Sequence, residues 1–167
     1  SQSEQLKDVT VPFVDSCMFR DIVFGFVSDG KSDGFYDFKL VNGATTLATI
    51  TGVNYVNADC VDNGKKGAFF ILARGKEADI IHAVFEGSEG KWETQSFELD
   101  VDGFNRADFT YLNSGSYIFG GYNNKYANEI VMRSIELKAG GAGKLGAPFT
   151  KNFNSRIADF DVVTAAD

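Results

Sequence analysis

Residues 67–99 alternate between apolar and polar side chains in three runs, separated by a Gly-Lys turn and a Gly-Ser-Glu-Gly turn. Successive side chains of a β-strand point to opposite faces, so alternation of this kind marks a strand with one buried face. In the middle run Ile81, Ala83 and Phe85 share one face, and the residues between them share the other. The pattern therefore predicts a β-meander of three antiparallel strands.

Similar runs continue along most of the chain, separated by Asn-Gly and Asp-Gly sequences that favour tight hairpin turns. Residues 1–7 are polar and lack periodicity, so we expect a disordered N-terminus followed by a single all-β domain over residues 8–167. The preferred architecture is a two-sheet antiparallel β-sandwich, jelly-roll or galectin-like. The predicted strands lie near residues 8–14, 18–27, 35–42, 45–51, 53–61, 67–73, 78–86, 91–101, 106–112, 116–120, 128–137 and 156–163.

A second architecture is suggested by four short similar segments, which contain Cys17, Cys60, Asp108 and Asp159 and recur at spacings of 42 to 51 residues. Repeats of about this length are typical of β-propellers, and three of them would suit a β-trefoil. The matches are short and the intervening lengths differ, so general resemblance among buried strands is the simpler explanation. A small β-propeller and a β-trefoil remain alternatives to the sandwich.

Composition supports an all-β chain, because sixteen Phe residues can fill strand faces and eighteen Gly residues supply turn positions.

The formal net charge of −7 would repel nucleic-acid phosphates, and the basic residues are scattered, so we expect no nucleic-acid partner. No run approaches the roughly 18 apolar residues of a membrane-spanning helix, so we expect no membrane insertion. The run AGGAGKLG at residues 139–146 predicts a flexible loop.

Cys17 and Cys60 are the only cysteines, and neither lies in a Cys-x-x-Cys motif or a Cys/His cluster of the kind that binds a structural metal. Two isolated cysteines can form a disulfide or remain as buried thiols. We predict a Cys17–Cys60 disulfide. Because disulfides persist in oxidising compartments, this prediction favours a secreted or cell-surface protein.

Asp100, Asp102 and Asp108 lie in the segment DVDGFNRAD, where their spacing resembles positions one, three and nine of a calcium-binding loop. Calcium takes six to eight oxygen ligands, and Phe104 stands where a further oxygen ligand is usual. A solvated acidic turn is therefore the preferred interpretation of this segment, and calcium binding is the alternative.

The segment from Gly120 to Tyr126 combines aromatic and amide side chains in a Gly-led turn, a combination that suits sugars or protein surfaces. Bracing of the turn by its own tyrosines is the competing interpretation. Trp92 is a further aromatic candidate, as a core anchor or as a partly exposed binding residue. The candidate binding residues are Tyr122, Asn123, Asn124, Tyr126 and Trp92.

Residues 23–50 resemble the opening of the domain named after farnesoic acid O-methyltransferase, with an apolar strand, a polar stretch, a Tyr-led strand, a small turn and another strand. Its Phe-Trp-Ile strand is similar to Phe69-Phe70-Ile71, so the resemblance covers about residues 20–90. That family's Gly-Gly-Trp-x-Asn signature is absent, with Val41-Asn42-Gly43-Ala44-Thr45 in its place.

The sequence FILARGKEADIIHAVF also resembles galectin-like sandwiches, in which a His follows a strand of this shape. The sugar-binding Asn-Pro-Arg of galectins is replaced here by Val84-Phe85-Glu86. Both resemblances imply a β-sandwich interaction domain, and neither transfers a catalytic residue.

We find no nucleophile motif such as Gly-x-Ser-x-Gly, and His82, the only histidine, lies in a strand between Ile80 and Val84 as a packed residue would. We therefore expect a non-catalytic extracellular binding or adhesion module that recognises a protein or carbohydrate partner. A carbohydrate-active enzyme or a calcium-dependent lectin on the same scaffold is one alternative. A structural subunit of a coat, capsid or matrix assembly is another.

Overall fold

A computed structural model describes residues 15–28, 34–62, 66–113 and 115–164. The disordered segment expected at residues 1–7 and the first predicted strand, at residues 8–14, lie outside the described residues. In the described part the chain forms two antiparallel sheets, of seven and five strands, so the all-β sandwich is confirmed.

The seven-stranded sheet follows chain order from β1 to β7 across the described residues, and each strand pairs with the next by an antiparallel ladder. Its hydrogen-bonded neighbours are therefore consecutive in sequence, as the meander pattern predicts. Its strands are β1 (Asp15–Phe19), β2 (Ile22–Ser28), β3 (Phe35–Asn42), β4 (Thr45–Asp62), β5 (Gly67–Arg74), β6 (Asp79–Glu86) and β7 (Trp92–Glu98).

Strand β4 is eighteen residues long and belongs to both halves of this sheet. Its first part, to Asn54, pairs with β3, and its second part, from Tyr55, pairs with β5. Sequence predicted two strands here, separated at Gly52. Instead Gly52 adopts a φ of +65° inside the strand, and its amide donates to Asp37 Oδ1 at 2.9 Å, so the strand changes direction without ending.

We call β1–β3 with the first part of β4 the N-terminal half-sheet, and the second part of β4 with β5–β7 the central half-sheet. The remaining described strands form the C-terminal sheet, in the order β11-β10-β9-β8 with β12 also paired to β10. Each sheet is a meander rather than the Greek-key arrangement of a jelly roll, and neither blades nor a threefold arrangement is present among the described residues. The strands are β8 (Phe104–Asn113), β9 (Ser116–Asn123), β10 (Glu129–Glu136), β11 (Lys144–Leu145) and β12 (Phe149–Asn152).

Strand β5 lies at the centre of the molecule and is buried on both faces. Phe69 and Ile71 face the N-terminal half-sheet, whereas Phe70 and Leu72 face the C-terminal sheet, as strand alternation requires. The near-continuous apolar sequence of β5 is explained by these two cores, since a strand covered on one face only would alternate with polar residues.

The disulfide between Cys17 and Cys60 is confirmed, with a Cα–Cα distance of 6.4 Å. It joins β1 to the second part of β4, within the core between the N-terminal and central half-sheets. The cross-link therefore ties the first described strand back onto the half-sheet against which it packs.

The glycine-rich run between β10 and β11 is anchored, in contrast to the flexible loop expected from its composition. Gln95 Nε2 on β7 donates to the carbonyls of Lys138 and Gly141, both at 2.8 Å, and Glu93 Oε1 accepts from Gly140 N at 2.8 Å. The expectation was wrong because side chains of a distant strand bond this backbone.

Residues 153–164, which we call the strap, form coil with a bend at residues 154–155. The strap lies on the outer face of the C-terminal sheet, where Val162 and Phe160 approach Gly120 of β9.

Sequence predicted a strand at residues 156–163. The strap forms no such strand, because its bonds to the sheet are isolated rather than a ladder. The amides of Phe153 and Ile157 donate to Asn128 O and Ala127 O, and further along Arg106 donates to Ala158 O and Asp108 Oδ2 accepts from Val162 N at 2.6 Å.

The helical segments of the described chain are short 3-10 turns, at Ser88–Gly90 and Asn124–Tyr126. No helix within residues 15–28, 34–62, 66–113 or 115–164 has the length and apolar character needed to cross a membrane.

Candidate functional site

The connection between β7 and β8 crosses from one sheet to the other and is fixed at its base by Asp79. The Asp79 amide donates to Val101 O at 2.8 Å, and the Asp79 carbonyl accepts from Leu99 N at 2.9 Å. Its carboxylate Oδ2 accepts from Phe104 N at 2.8 Å. Backbone and side chain of one residue thus hold both ends of the crossover.

Asp79 is completely buried, and its charge is balanced by Arg74 at the end of β5. Arg74 Nη1 lies 2.6 Å from Asp79 Oδ2 and donates to Phe104 O at 2.5 Å. A buried carboxylate needs such a partner, since an unpaired charge is strongly disfavoured away from water. Sequence reasoning missed this pair. Its available signal was an Asp directly before the apolar pair Ile80-Ile81.

The crossover forms one wall of a cavity of about 250 Å³, which we call the crossover pocket. Its floor is apolar and includes the buried Leu99 and Phe104, and its rim carries the exposed Val101 and Tyr126. The remaining lining residues come from the crossover, from β9 and from the β10–β12 region: Asp100, Asn123, Glu129, Val131, Arg133, Pro148 and Thr150.

Arg133 supplies the positive charge in the crossover pocket, with a side chain that is only 10% exposed. Its Nε donates to Gly146 O at 2.8 Å, and its Nη1 lies 3.3 Å from Asp100 Oδ2 and 3.4 Å from Leu99 O. Asp100 itself adopts a positive φ of 68°, the left-handed conformation in which Asp is enriched. The guanidinium is thereby held in place before any ligand arrives.

Of the four candidate binding residues in the segment from Gly120 to Tyr126, two are buried and two are exposed. Tyr122 has no exposed surface, and its ring lies under the Arg106 guanidinium at 4.6 Å. Asn123 is also buried, and its side chain donates to Asp102 O at 2.6 Å and accepts from Lys125 N at 3.0 Å. The expectation that the Tyr122 ring is exposed was therefore wrong. Strand β9 extends to Asn123, and on its outer face the Tyr122 ring lies beneath Arg106, which bonds the strap.

Asn124 and Tyr126 are exposed in the 3-10 turn that follows β9. Tyr126 retains 54% of its surface and stands at the rim of the crossover pocket. Asn123 and Tyr126, together with Asp100 from the acidic segment, therefore meet at one cavity. Glu129 and Arg133, which complete its polar lining, carry no sequence motif that would have singled them out.

Trp92 is half-buried and packs against Phe69, with 5.8 Å between ring centroids. It belongs to the core between the N-terminal and central half-sheets and does not line the crossover pocket. The geometry corresponds to the core-anchor interpretation of this residue.

The three carboxylates considered for calcium contact different partners. Asp100 faces Arg133, Asp102 Oδ1 bonds Lys125 Nζ at 2.8 Å, and Asp108 accepts from the strap. The Lys125 ammonium lowers the pKa of Asp102. Since β8 is extended, Asp108 lies about 13 Å along the strand from Phe104. The described residues contain no group of three or more His, Cys, Asp or Glu residues arranged to hold a metal ion.

His82 lies in β6, with its Nδ1 3.0 Å from Ser96 Oγ on the neighbouring β7. Burial lowers its pKa, since desolvation disfavours the charged imidazolium. These contacts are those of a packed strand residue.

A larger cavity of about 490 Å³ lies on the outer face of the C-terminal sheet, alongside the strap. Apolar side chains dominate it, and we call it the strap groove. It is more open than the crossover pocket, and its lining includes Leu112, Ile118, Met132, Phe149, Val162 and Val163.

No protein family, curated protein or solved structure matches this chain.

Proposed function

We propose that this protein is a non-catalytic binding module that holds part of its ligand in the crossover pocket. The observation that carries the proposal is the convergence of an exposed aromatic ring, an apolar floor and fixed charged groups at one concave site. Binding sites commonly combine an apolar lining with a few placed polar groups in this way. Tyr126, Arg133 and Glu129 are the residues on which the proposal depends.

Carbohydrate is the ligand class that this chemistry favours. The apolar face of a sugar ring can lie against an aromatic side chain such as Tyr126, and its hydroxyls can donate to carboxylates such as Asp100 and Glu129. The volume of about 250 Å³ is below the roughly 300–1,000 Å³ of sites for drug-sized ligands. One sugar unit at the end of a chain is therefore the expected occupant.

The disulfide supports a secreted or cell-surface location, because such bonds are rare in reducing compartments. A calcium-dependent lectin is less well supported, because Asp100, Asp102 and Asp108 each contact a different partner. Protein recognition remains the alternative for the crossover pocket, with a partner side chain in place of the sugar.

The test is an NMR titration of the labelled protein with a panel of methyl glycosides and, separately, capped amino acids. We expect at least one glycoside to shift amide signals of the crossover pocket. Tyr126→Ala and Glu129→Gln should each weaken that binding by more than tenfold, about 1.4 kcal/mol, as for contributing interface residues. Phe149→Ala is the matched control, since it removes another exposed aromatic outside the crossover pocket.

Two results would reject carbohydrate recognition at this site. One is a response to the capped amino acids alone, which would indicate a protein partner. The other is binding that shifts signals elsewhere and is unaffected by either variant.

A further inference from the structure

The accessible charge in the crossover pocket is negative, although the pocket contains an arginine. The side chain of Arg133 is only 10% exposed, and its Nε and Nη1 already bond Gly146 O, Leu99 O and the Asp100 carboxylate. The side chain of Asp100, in contrast, is 76% exposed. A ligand that enters the pocket therefore meets carboxylate oxygens more readily than the guanidinium.

Glu129 contributes a second carboxylate, and none of the ion pairs in the described part of the chain includes it. Glu129, Val131 and Arg133 occupy alternate positions of β10, so their side chains share the face that lines the crossover pocket. Glu129 is half-buried, and a partly desolvated charge without a counter-charge is unfavourable. A cation bound in the pocket would supply that counter-charge.

Two lysines near this region are not available to balance Glu129. The Lys125 ammonium bonds Asp102 Oδ1 at 2.8 Å. Lys151 of β12 is paired with Ile130 across the ladder, and both lie on the opposite face of the sheet from Glu129. The charge of Glu129 is therefore left for a ligand.

We propose that the crossover pocket selects a cationic ligand, namely a sugar unit that carries a free amino group. This inference rests on the proposed carbohydrate recognition and specifies its ligand class. An ammonium group offers three N–H donors and accepts no hydrogen bond, whereas ionised carboxylates only accept. The Glu129 and Asp100 side chains thus complement an amino group better than they complement a hydroxyl, which carries no charge.

The aromatic ring at the pocket rim also suits a cation. Tyr126 is 54% exposed and precedes Glu129 by three residues, and both line the same cavity. The face of an aromatic ring attracts a cation within about 6 Å of its centre. A sugar that carries a carboxylate would instead be repelled by Asp100 and Glu129, because like charges brought together at an interface are unfavourable.

The test compares methyl glycosides that differ in one group, by NMR titration of the labelled protein near pH 6, where a sugar amine is charged. Each hexose is used in its hydroxyl, amino and acetamido forms, with the amine at position 2 or 6, and the uronic acid serves as the anionic form. We expect the wild-type protein to bind an amino form at least about tenfold more tightly than the matched hydroxyl and acetamido forms, as for a bond to a charged group. This first measurement needs no variant.

Glu129→Gln should reduce the preference for the amino form to about twofold or less, because the amide keeps the size of the side chain but removes its charge. Glu136→Gln is the matched control. Glu136 is an exposed carboxylate on the same strand and lies outside the crossover pocket, so the control removes the same charge from the protein and should keep the preference.

Equal affinities for the amino and hydroxyl forms would overturn this inference and leave carbohydrate recognition in place. Tighter binding of a uronic acid would have the same consequence, as would a preference that persists in Glu129→Gln. Binding of none of the glycosides would reject carbohydrate recognition and this inference together. If capped lysine alone then bound, the ammonium group would belong to a protein partner.

Discussion

The N-terminal half-sheet and the C-terminal sheet pack on opposite faces of the same central strands, but they are held there differently. The first is joined by ring contacts, such as Phe24–Phe69 at 4.7 Å and Phe26–Tyr55 at 4.8 Å, and by the disulfide. The second adds polar contacts at its edges, including Arg74–Asp79 and Arg133–Asp100. The outer face of the C-terminal sheet carries the strap, which forms no strand.

The cavities on these two sides of the molecule also differ in volume. The cavity of the N-terminal half-sheet, beside Cys17 and Phe24, holds about 80 Å³, whereas the crossover pocket and the strap groove hold about 250 and 490 Å³. Interdigitated apolar side chains leave little space, because protein interiors pack as densely as organic crystals. The side of the N-terminal half-sheet is therefore packed with less empty space, whereas the larger cavities lie on the side of the C-terminal sheet.

The largest effect is expected from Phe70→Ala, which tests whether both faces depend on one central strand. Phe70 is fully buried and stacks on Phe109 with 4.7 Å between centroids and an interplanar angle of 3°. Its loss should lower the free energy of unfolding by about 3–5 kcal/mol through lost burial and a cavity. Urea denaturation measures this, with the exposed Phe149→Ala as control, expected within about 0.5 kcal/mol. Equal effects in both variants would contradict the assignment of this core.

The next effect is expected from Cys17→Ser combined with Cys60→Ser, which tests the cross-link of the N-terminal face. The bridge spans 43 residues, for which loop-closure entropy predicts about 4 kcal/mol, and measured values are typically about 2–4 kcal/mol. Denaturation of the oxidised protein, the reduced protein and the double variant provides the measurement. If the reduced wild type and the double variant retain full stability, the cross-link is not what holds β1 to β4.

A smaller effect is expected from Asp79→Asn, which tests the polar attachment on the C-terminal side. The variant removes the charge opposite Arg74 but keeps an acceptor for Phe104 N. Arg74 is one-third exposed and can regain water, so the loss should be about 1.5–3 kcal/mol, as for hydrogen bonds to a charged group. Asp161→Asn is the surface control. An Asp79→Asn protein of wild-type stability would show that the crossover is held by its backbone bonds alone.

The sequence by itself predicted the positions of β2 to β10, because alternation and turn residues act within a few neighbouring positions. It missed β11 and β12 and predicted a strand at residues 156–163 that does not form. It also predicted the Cys17–Cys60 disulfide, which the isolation of the two cysteines suggested. The apolar run of β5 was visible as a buried strand, but its role as the shared wall of two cores depended on strands far away in the chain.

Only the tertiary structure decided which polar residues meet. Tyr122 and Tyr126 are four residues apart in one Gly-led segment, yet one lies buried under Arg106 and the other stands at a pocket rim. Asp79 and Arg133 acquire their roles from partners 13 to 34 residues away, and Glu129 acquires its role from the pocket that it lines. Local periodicity is a property of neighbouring side chains, whereas the crossover pocket requires groups that only the packing of two sheets brings together.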